Sequence, residues 1–305
     1  MSTLVILQQM FVIVIMVAIG IYLEKKDVVD ALTSRKLSAI VVDVCNPAMI
    51  MASILSGGIT AERRDLMIAI GLGVAFYALL VILGFVLPKI LRVEKGKQHF
   101  YNLMTVYTNT GFIGIPVARA ILPPNAILYV IVINVLYSFL FYTHGITILS
   151  GGQEKINLKK AINPGMIMAV LSLVVFWFKI VPPLVVTNTI SYIGDATVFL
   201  SMTLLGVSIA RSNVFGAMKD LRIWLFILIR MIAVPVAIVL IMRACGFDND
   251  KTLGLCLMAA VPVGNMPMIQ AERLGQDTKV LSTAIAVTTV ASIVTITILI
   301  SIFSQ

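Results

Sequence analysis

What this 305-residue chain has little of narrows its chemistry first. Charged residues make up only 12% of it, 14 of them acidic, against 60% hydrophobic residues and a mean hydropathy of +1.04. A soluble protein of this length needs more polar surface, so the composition indicates a polytopic helical membrane protein. Histidine occurs twice and cysteine three times. Cys45, Cys245 and Cys256 lie in or beside apolar runs, without the paired spacing of a metal site or a disulfide, and read as small core hydrophobes. His99 sits in a basic loop and His144 near a helix end, and neither is assigned a role. No Walker loop, metal-binding Cys/His cluster or catalytic triad is found. Those absences argue against an enzyme and against ATP-driven transport by this chain alone, and no metal or cofactor is expected. The first apolar run has no basic residue before it and no small-residue cleavage site. It therefore reads as a retained helix, not a signal peptide.

What is present is a series of apolar windows. Ten windows of roughly 20 residues read as membrane spans: 3–23, 35–56, 65–88, 98–120, 125–149, 163–180, 186–210, 220–243, 250–272 and 279–303. Of the 23 Lys and Arg residues, sixteen fall in the loops of one side, among them Lys25, Lys26, Lys89, Arg92, Lys159, Arg211 and Arg273. Six fall on the other side, and Arg230 lies inside the eighth span. Basic loops face the cytoplasm, which places both termini on the non-cytoplasmic side of the cell (inner) membrane. The net charge of +9 is then a matter of topology and not a signal for nucleic acid.

The two halves echo each other. "VVDVCNPAMIM" carries Asp43 in the second span and "IGDATVFLSMT" carries Asp195 in the seventh. Asp65 opens the third span as Asp220 opens the eighth, and Pro116 in the fourth corresponds to Pro267 in the ninth. Five spans per half force the second copy to enter from the opposite face. The expected fold is all-α, ten helices in an inverted 5+5 repeat: residues 1–149, a cytoplasmic linker 150–162, and residues 163–305. Such repeats build secondary transporters with the substrate near the midplane.

The fourth and ninth spans are interrupted by poor helix formers. "NTGFIGIP" holds Gly111, Gly114 and Pro116, and "VPVGNMP" holds Pro262, Gly264, Asn265 and Pro267. Inside a helix a Gly costs about 1 and a Pro about 3 kcal/mol relative to Ala. Lipid-exposed unwound backbone costs more still, so such breaks belong inside protein or against water. Two broken spans at equivalent depth are expected to cross. Their half-helix N-termini then suit an anion, with Asn109, Thr110 and Asn265 adding neutral donors and acceptors. The plainer reading is that both helices are merely kinked for packing.

Asp43, Asp195 and Arg230 are charges within spans, where such groups usually face the bundle interior and find partners. Pro47 frees a carbonyl near Asp43, so Asp43 and Asp195, with Asn46 between Asp43 and that proline, are candidates for Na⁺ or proton coupling. The competing reading is a structural pair of Arg230 with either aspartate. Arg230 could instead neutralise an anionic substrate directly. Asn134, the one strong amide of the fifth span, either lines the site or makes an interhelical hydrogen bond.

"CNPAMIM", "TNTGFIGIPVA", "GDATVFLSMTLLGVSIA" and "AAVPVGNMPMIQAERLG" resemble the bacterial auxin efflux carrier family, relatives of plant PIN-type carriers, and the likeness runs end to end. The resemblance implies the fold of sodium/bile-acid symporters, with crossed broken helices in spans 4 and 9. It implies a homodimer, elevator-type alternating access and a small organic anion as cargo, of the auxin, malate or malonate class. It places the crossover prolines at Pro116 and Pro267 and the carboxylate contact in the region from Asn109 to Gly114. This chain differs from the common family pattern in having Asp43 and Asp195, often Asn elsewhere, and Phe199, often Pro.

The leading expectation is thus a secondary transporter of a small organic carboxylate that works within the lipid bilayer. Its substrate residues are Asn109, Thr110, Gly111, Gly114, Pro116, Asn134, Gly264, Asn265 and Pro267. A cation exchanger of the Na⁺/H⁺ type, a ligand-gated channel and an intramembrane enzyme built on Asp43 and Asp195 are the alternatives.

Overall fold

A computed structural model describes residues 3–55, 59–153, 162–211 and 221–304. The described residues are helical almost throughout. In chain order the helices are α1 (Thr3–Lys25), α2 (Ala31–Leu55), α3 (Arg63–Ile90), α4 (Gln98–Val106), α5 (Thr110–Ile121) and α6 (Pro124–Ser150). They continue as α7 (Pro164–Phe178), α8 (Leu184–Arg211), α9 (Leu221–Ala244), α10 (Asn249–Ala260), α11 (Met266–Arg273) and α12 (Lys279–Phe303). Among the described residues six segments, α2, α3, α6, α8, α9 and α12, are long and apolar enough to cross a membrane. Large apolar side chains such as Phe11, Val74, Ile82, Val181, Tyr192, Leu240 and Ile298 are exposed around the outside. A lipid bilayer would cover so extensive an apolar surface.

Local sequence explains where several helices begin. Asp30, Asn163 and Asp248 accept hydrogen bonds from the backbone N–H of Thr33, Met166 and Lys251 at 2.7, 3.0 and 3.0 Å, so each caps a helix N-terminus. Prolines accompany three of the four π-helical turns among the described residues, Phe141–Gly145 being the exception. The π-helical turns Val41–Cys45, Thr110–Gly114 and Leu228–Ala233 each end two residues before a proline: Pro47, Pro116 and Pro235. A proline lacks the N–H that would bond four residues back, and its ring crowds that carbonyl. A wider turn relieves the clash without ending the helix.

The helices sort into two groups. In one, α1 packs along α8, and α2 packs on α7 and α8. Glycines allow the close approach: a Cβ on Gly20 would lie 2.0 Å from the Thr203 carbonyl oxygen, and one on Gly206 would lie 2.0 Å from that of Val17. Gly194 likewise sits on the backbone of Met49. In the other group α3 packs on α4 and α6, and α10 packs on α6, α9 and α12. The main hydrophobic core runs through this second group, including Leu80, Leu103, Met104, Ile131, Phe141, Leu257 and Met258.

The windows expected at 98–120 and 250–272 are each divided into two helices. The second division falls where the sequence suggested, between Ala260 and Met266. The first falls at residues 107–109, before the expected Gly111–Pro116 stretch, which is helical. Pro116 comes early enough in α5 for the π turn to absorb it, so it does not break the chain. The polar linker residues 154–161 and Asp220 lie outside the described residues.

Candidate functional site

The two interruptions meet. Thr108 and Val263 form an antiparallel bridge. On either side of it, the N–H of Asn109 donates to the Pro262 carbonyl at 2.7 Å, and the N–H of Gly264 donates to the Tyr107 carbonyl at 3.0 Å. Backbone groups that unwinding would orphan are thereby satisfied by each other, as burial requires. Gly264 permits the approach, since a Cβ there would lie 2.8 Å from the Thr108 carbonyl oxygen. The hydroxyl of Thr288 on α12 accepts a hydrogen bond from the N–H of Val263 at 3.2 Å.

Side chains fix the crossing from behind. Tyr107 is fully buried, its hydroxyl donates to the Leu140 carbonyl at 3.0 Å and lies 2.9 Å from His144 Nδ1, and its ring packs edge-on against Phe141. Thr110 donates through its hydroxyl to Asn134 Oδ1 at 2.9 Å. Asn134 therefore makes an interhelical hydrogen bond that holds the start of α5, one of the two readings the sequence allowed. Asn109 caps α5, its Oδ1 accepting from the N–H of Phe112 at 3.1 Å. Gly114 packs on Met258, and Gly111 lies against Asn46, whose Nδ2 would be 3.4 Å from a Cβ placed there.

In front of the crossing is a cavity of about 170 Å³. That is well above the roughly 10–15 Å³ that one water requires. Its polar lining comes from Asn109 and Asn265 at the two breaks, Ser34 and Ser38 on α2, Ser201 and Ser208 on α8, and Thr289 on α12. Phe112, Ile113, Leu204, Leu205, Ile209 and Ile285 supply its apolar wall. The cavity thus lies where the two helix groups face each other. It runs from the breaks towards the end where α1 finishes, α2 starts and α8 finishes. No charged side chain lines it among the described residues. Ser201 Oγ and Thr289 Oγ1 are buried on its wall without a protein hydrogen-bond partner, and so is Asn46 Oδ1 nearby. Buried polar atoms of this kind normally have a partner, and others without one lie elsewhere in the protein, those of Asn102, Tyr129 and Thr197 among them.

The three intramembrane charges are placed differently from one another. Asp43 lies exposed in the first π turn and does not line the cavity. Asp195 pairs with Arg119 at 2.7 Å, not with Arg230. Arg230 is 1% exposed and points behind the crossing, where its Nε–H donates to the Thr105 carbonyl at 2.7 Å and Nη1 donates to the Ala259 carbonyl at 2.5 Å. It thus takes backbone partners instead of an aspartate, because the two helix ends that stop at the crossing present carbonyls with no intrahelical donor. No group of three or more His, Cys, Asp and Glu able to hold a metal is found among the described residues.

Ser34, Ser38, Ser201, Ser208 and Thr289 escaped the sequence reading. Serine and threonine in spans commonly bond their own helix, as Ser53 does to the Met49 carbonyl and Thr105 to that of Tyr101. Nothing in the local sequence separates those from hydroxyls that face a cavity.

A family model described as membrane transport protein matches residues 5–160 and 152–300. No curated protein matches the chain. With nearly its whole length matched, the chain belongs to the membrane transport protein family, the auxin efflux carrier-like family, whose members are transporters and not enzymes.

Proposed function

We propose that this multi-pass membrane transporter carries a small organic carboxylate, bound in the cavity at the crossing of its fourth and ninth spans. The observation that carries the reading is the cavity itself. It joins two helix N-termini, the amides of Asn109 and Asn265 and the unpartnered hydroxyls of Ser201 and Thr289 around one space of about 170 Å³ between two helix groups. Helix N-termini favour negative charge, and neutral donors suit a carboxylate that must also leave. The apolar wall accommodates the carbon skeleton. Gly111, Gly114, Pro116, Gly264 and Pro267 shape this site through the backbone. Thr110 and Asn134 position it.

In this reading the ten segments form the inverted 5+5 repeat, with 1–149 and 163–305 as its halves. The group of α1, α2, α7 and α8 is the stationary scaffold, and the group that contains the crossing slides against it, an elevator-type alternating access. The protein spans the cell (inner) membrane, with the basic loops in the cytoplasm and both termini on the opposite face. The cavity, which runs towards Lys25 and Arg211, then faces the cytoplasm. A cation exchanger requires a carboxylate in the cavity wall, and neither Asp43 nor Asp195 is in it.

The test is a thermal-shift panel on purified full-length protein with mono-, di- and tricarboxylates. A ligand at 100 times its dissociation constant stabilises the folded state by about 2.7 kcal/mol, enough to see. Stabilisation by a carboxylate that is lost in Asn265→Ala supports the assignment. A carboxylate response that survives unchanged in Asn265→Ala and Asn109→Ala moves the site elsewhere.

A further inference from the structure

Four half-helices end at the crossing, and their ends are not equivalent. α4 and α10 arrive with their C-termini, whereas α5 and α11 leave with their N-termini. A helix end behaves as roughly half an elementary charge, negative at the C-terminus. Two abutting C-termini therefore amount to about one negative charge buried within the membrane. In transporters built on broken helices, that end of the site is where a coupling cation is ordinarily held by backbone carbonyls.

Here a side chain already stands there. Arg230 reaches from the π turn of α9 and bonds the Thr105 carbonyl in the last turn of α4 and the Ala259 carbonyl in the last turn of α10. Its Nη2 is buried without a hydrogen-bond partner among the described residues, so the two carbonyls are the hydrogen-bond acceptors that hold it. It is 1% exposed, and no acidic side chain forms a salt bridge with it among the described residues. An unpaired buried cation is retained only where it meets compensating negative potential. The guanidinium fork suits two carbonyls presented side by side by different helices.

We propose that Arg230 is the resident cation of the crossing: it cancels the negative ends of α4 and α10, so that substrate binding requires no metal cation there and the N-termini of α5 and α11 keep a net positive potential towards the cavity. The last clause rests on the cavity being the carboxylate site; the first does not. Arg230 is a positioning residue in this scheme. It acts on the cavity through the helices and touches no substrate.

Two measurements separate the parts. The first needs no substrate. Arg230→Ala leaves a guanidinium-shaped space beside the two carbonyls, and low-millimolar guanidinium should raise its melting temperature by several degrees. Urea, of the same shape but neutral, should not, and wild type should respond to neither. Equal rescue by urea, or an Arg230→Met protein as stable as wild type, overturns the charge role. The second compares binding of a stabilising carboxylate in sodium and in N-methylglucamine buffers. Wild-type affinity should be the same in both. Arg230→Lys should retain most of it, and Arg230→Ala should lose roughly tenfold or more and recover with guanidinium. Sodium-dependent binding by wild type overturns the proposal. Absence of any carboxylate response in wild type counts against the substrate reading alone, because the guanidinium result stands by itself.

Discussion

Arg119 Nη2 and Asp195 Oδ1 lie 2.7 Å apart and tie α5, which starts at the crossing, to α8 of the opposing helix group. The pair lies on the far side of the crossing from the cavity mouth at Ser34 and Ser208. Under the alternating-access cycle proposed above, it would hold that side shut while the cavity is reached from the other.

Breaking the pair should change access more than stability. With side-chain exposures of 23% and 63% it is worth no more than about 1 kcal/mol, or about a fivefold shift between states. Asp195→Asn should speed thiol labelling of a Ser201→Cys protein from the Arg119 side, with little change in melting temperature. The charge-exchanged Arg119→Asp, Asp195→Arg protein should restore slow labelling. Equal labelling rates in all three proteins would show that the pair closes nothing.

The backbone contact at the crossing predicts a severe glycine effect. A Cβ at position 264 would sit 2.8 Å from the Thr108 carbonyl oxygen, and main chain cannot yield as a flexible side chain does. Gly264→Ala should cost about 1–3 kcal/mol of stability. Gly111→Ala, whose nearest new contact is the Asn46 amide at 3.4 Å, should cost much less. Thermal unfolding of the two variants measures the difference, and comparable losses would mean that the close approach is not what the glycine serves.

The hydrogen bond from Thr110 to Asn134 predicts an indirect effect on binding. Thr110→Val leaves the buried Asn134 Oδ1 without its donor, at a cost of about 1–3 kcal/mol. Neither residue lines the cavity, yet carboxylate affinity should fall because the start of α5 shifts. Adding Asn134→Leu removes the orphaned group and should recover stability but not affinity. Full recovery of both would place Asn134 outside the positioning of the site.

These particulars show what a single sequence makes legible. Six of the apolar windows, which recur as long apolar helices, and the division of the 250–272 window were readable, because hydropathy and the Pro-Gly-Asn-Pro cluster act locally. The break in the fourth span was displaced because its cause is not local. No proline interrupts Tyr107–Asn109; where the chain unwinds there, its backbone pairs with that of Pro262 and Gly264, which are distant in sequence. Arg230 was visible as a buried charge, but its partners were not, since backbone carbonyls leave no mark in a sequence. Asp195, one of the two aspartates that the competing reading offered to Arg230, pairs instead with Arg119, one of the six cations of the less basic side. The cavity hydroxyls were invisible for a related reason: facing a void and bonding one's own helix look alike residue by residue.

The central claim is that the cavity at the crossing is the path of a small organic carboxylate, and counterflow tests it most directly. Proteoliposomes would hold a protein in which Cys45, Cys245 and Cys256 are replaced and Ser201→Cys is the single thiol. They would be preloaded with a carboxylate identified by thermal shift, and entry of the labelled compound followed. The account predicts saturable counterflow that a thiol reagent blocks, with the carboxylate itself protecting the cysteine from modification. Complete modification with undiminished, unprotected counterflow would contradict it.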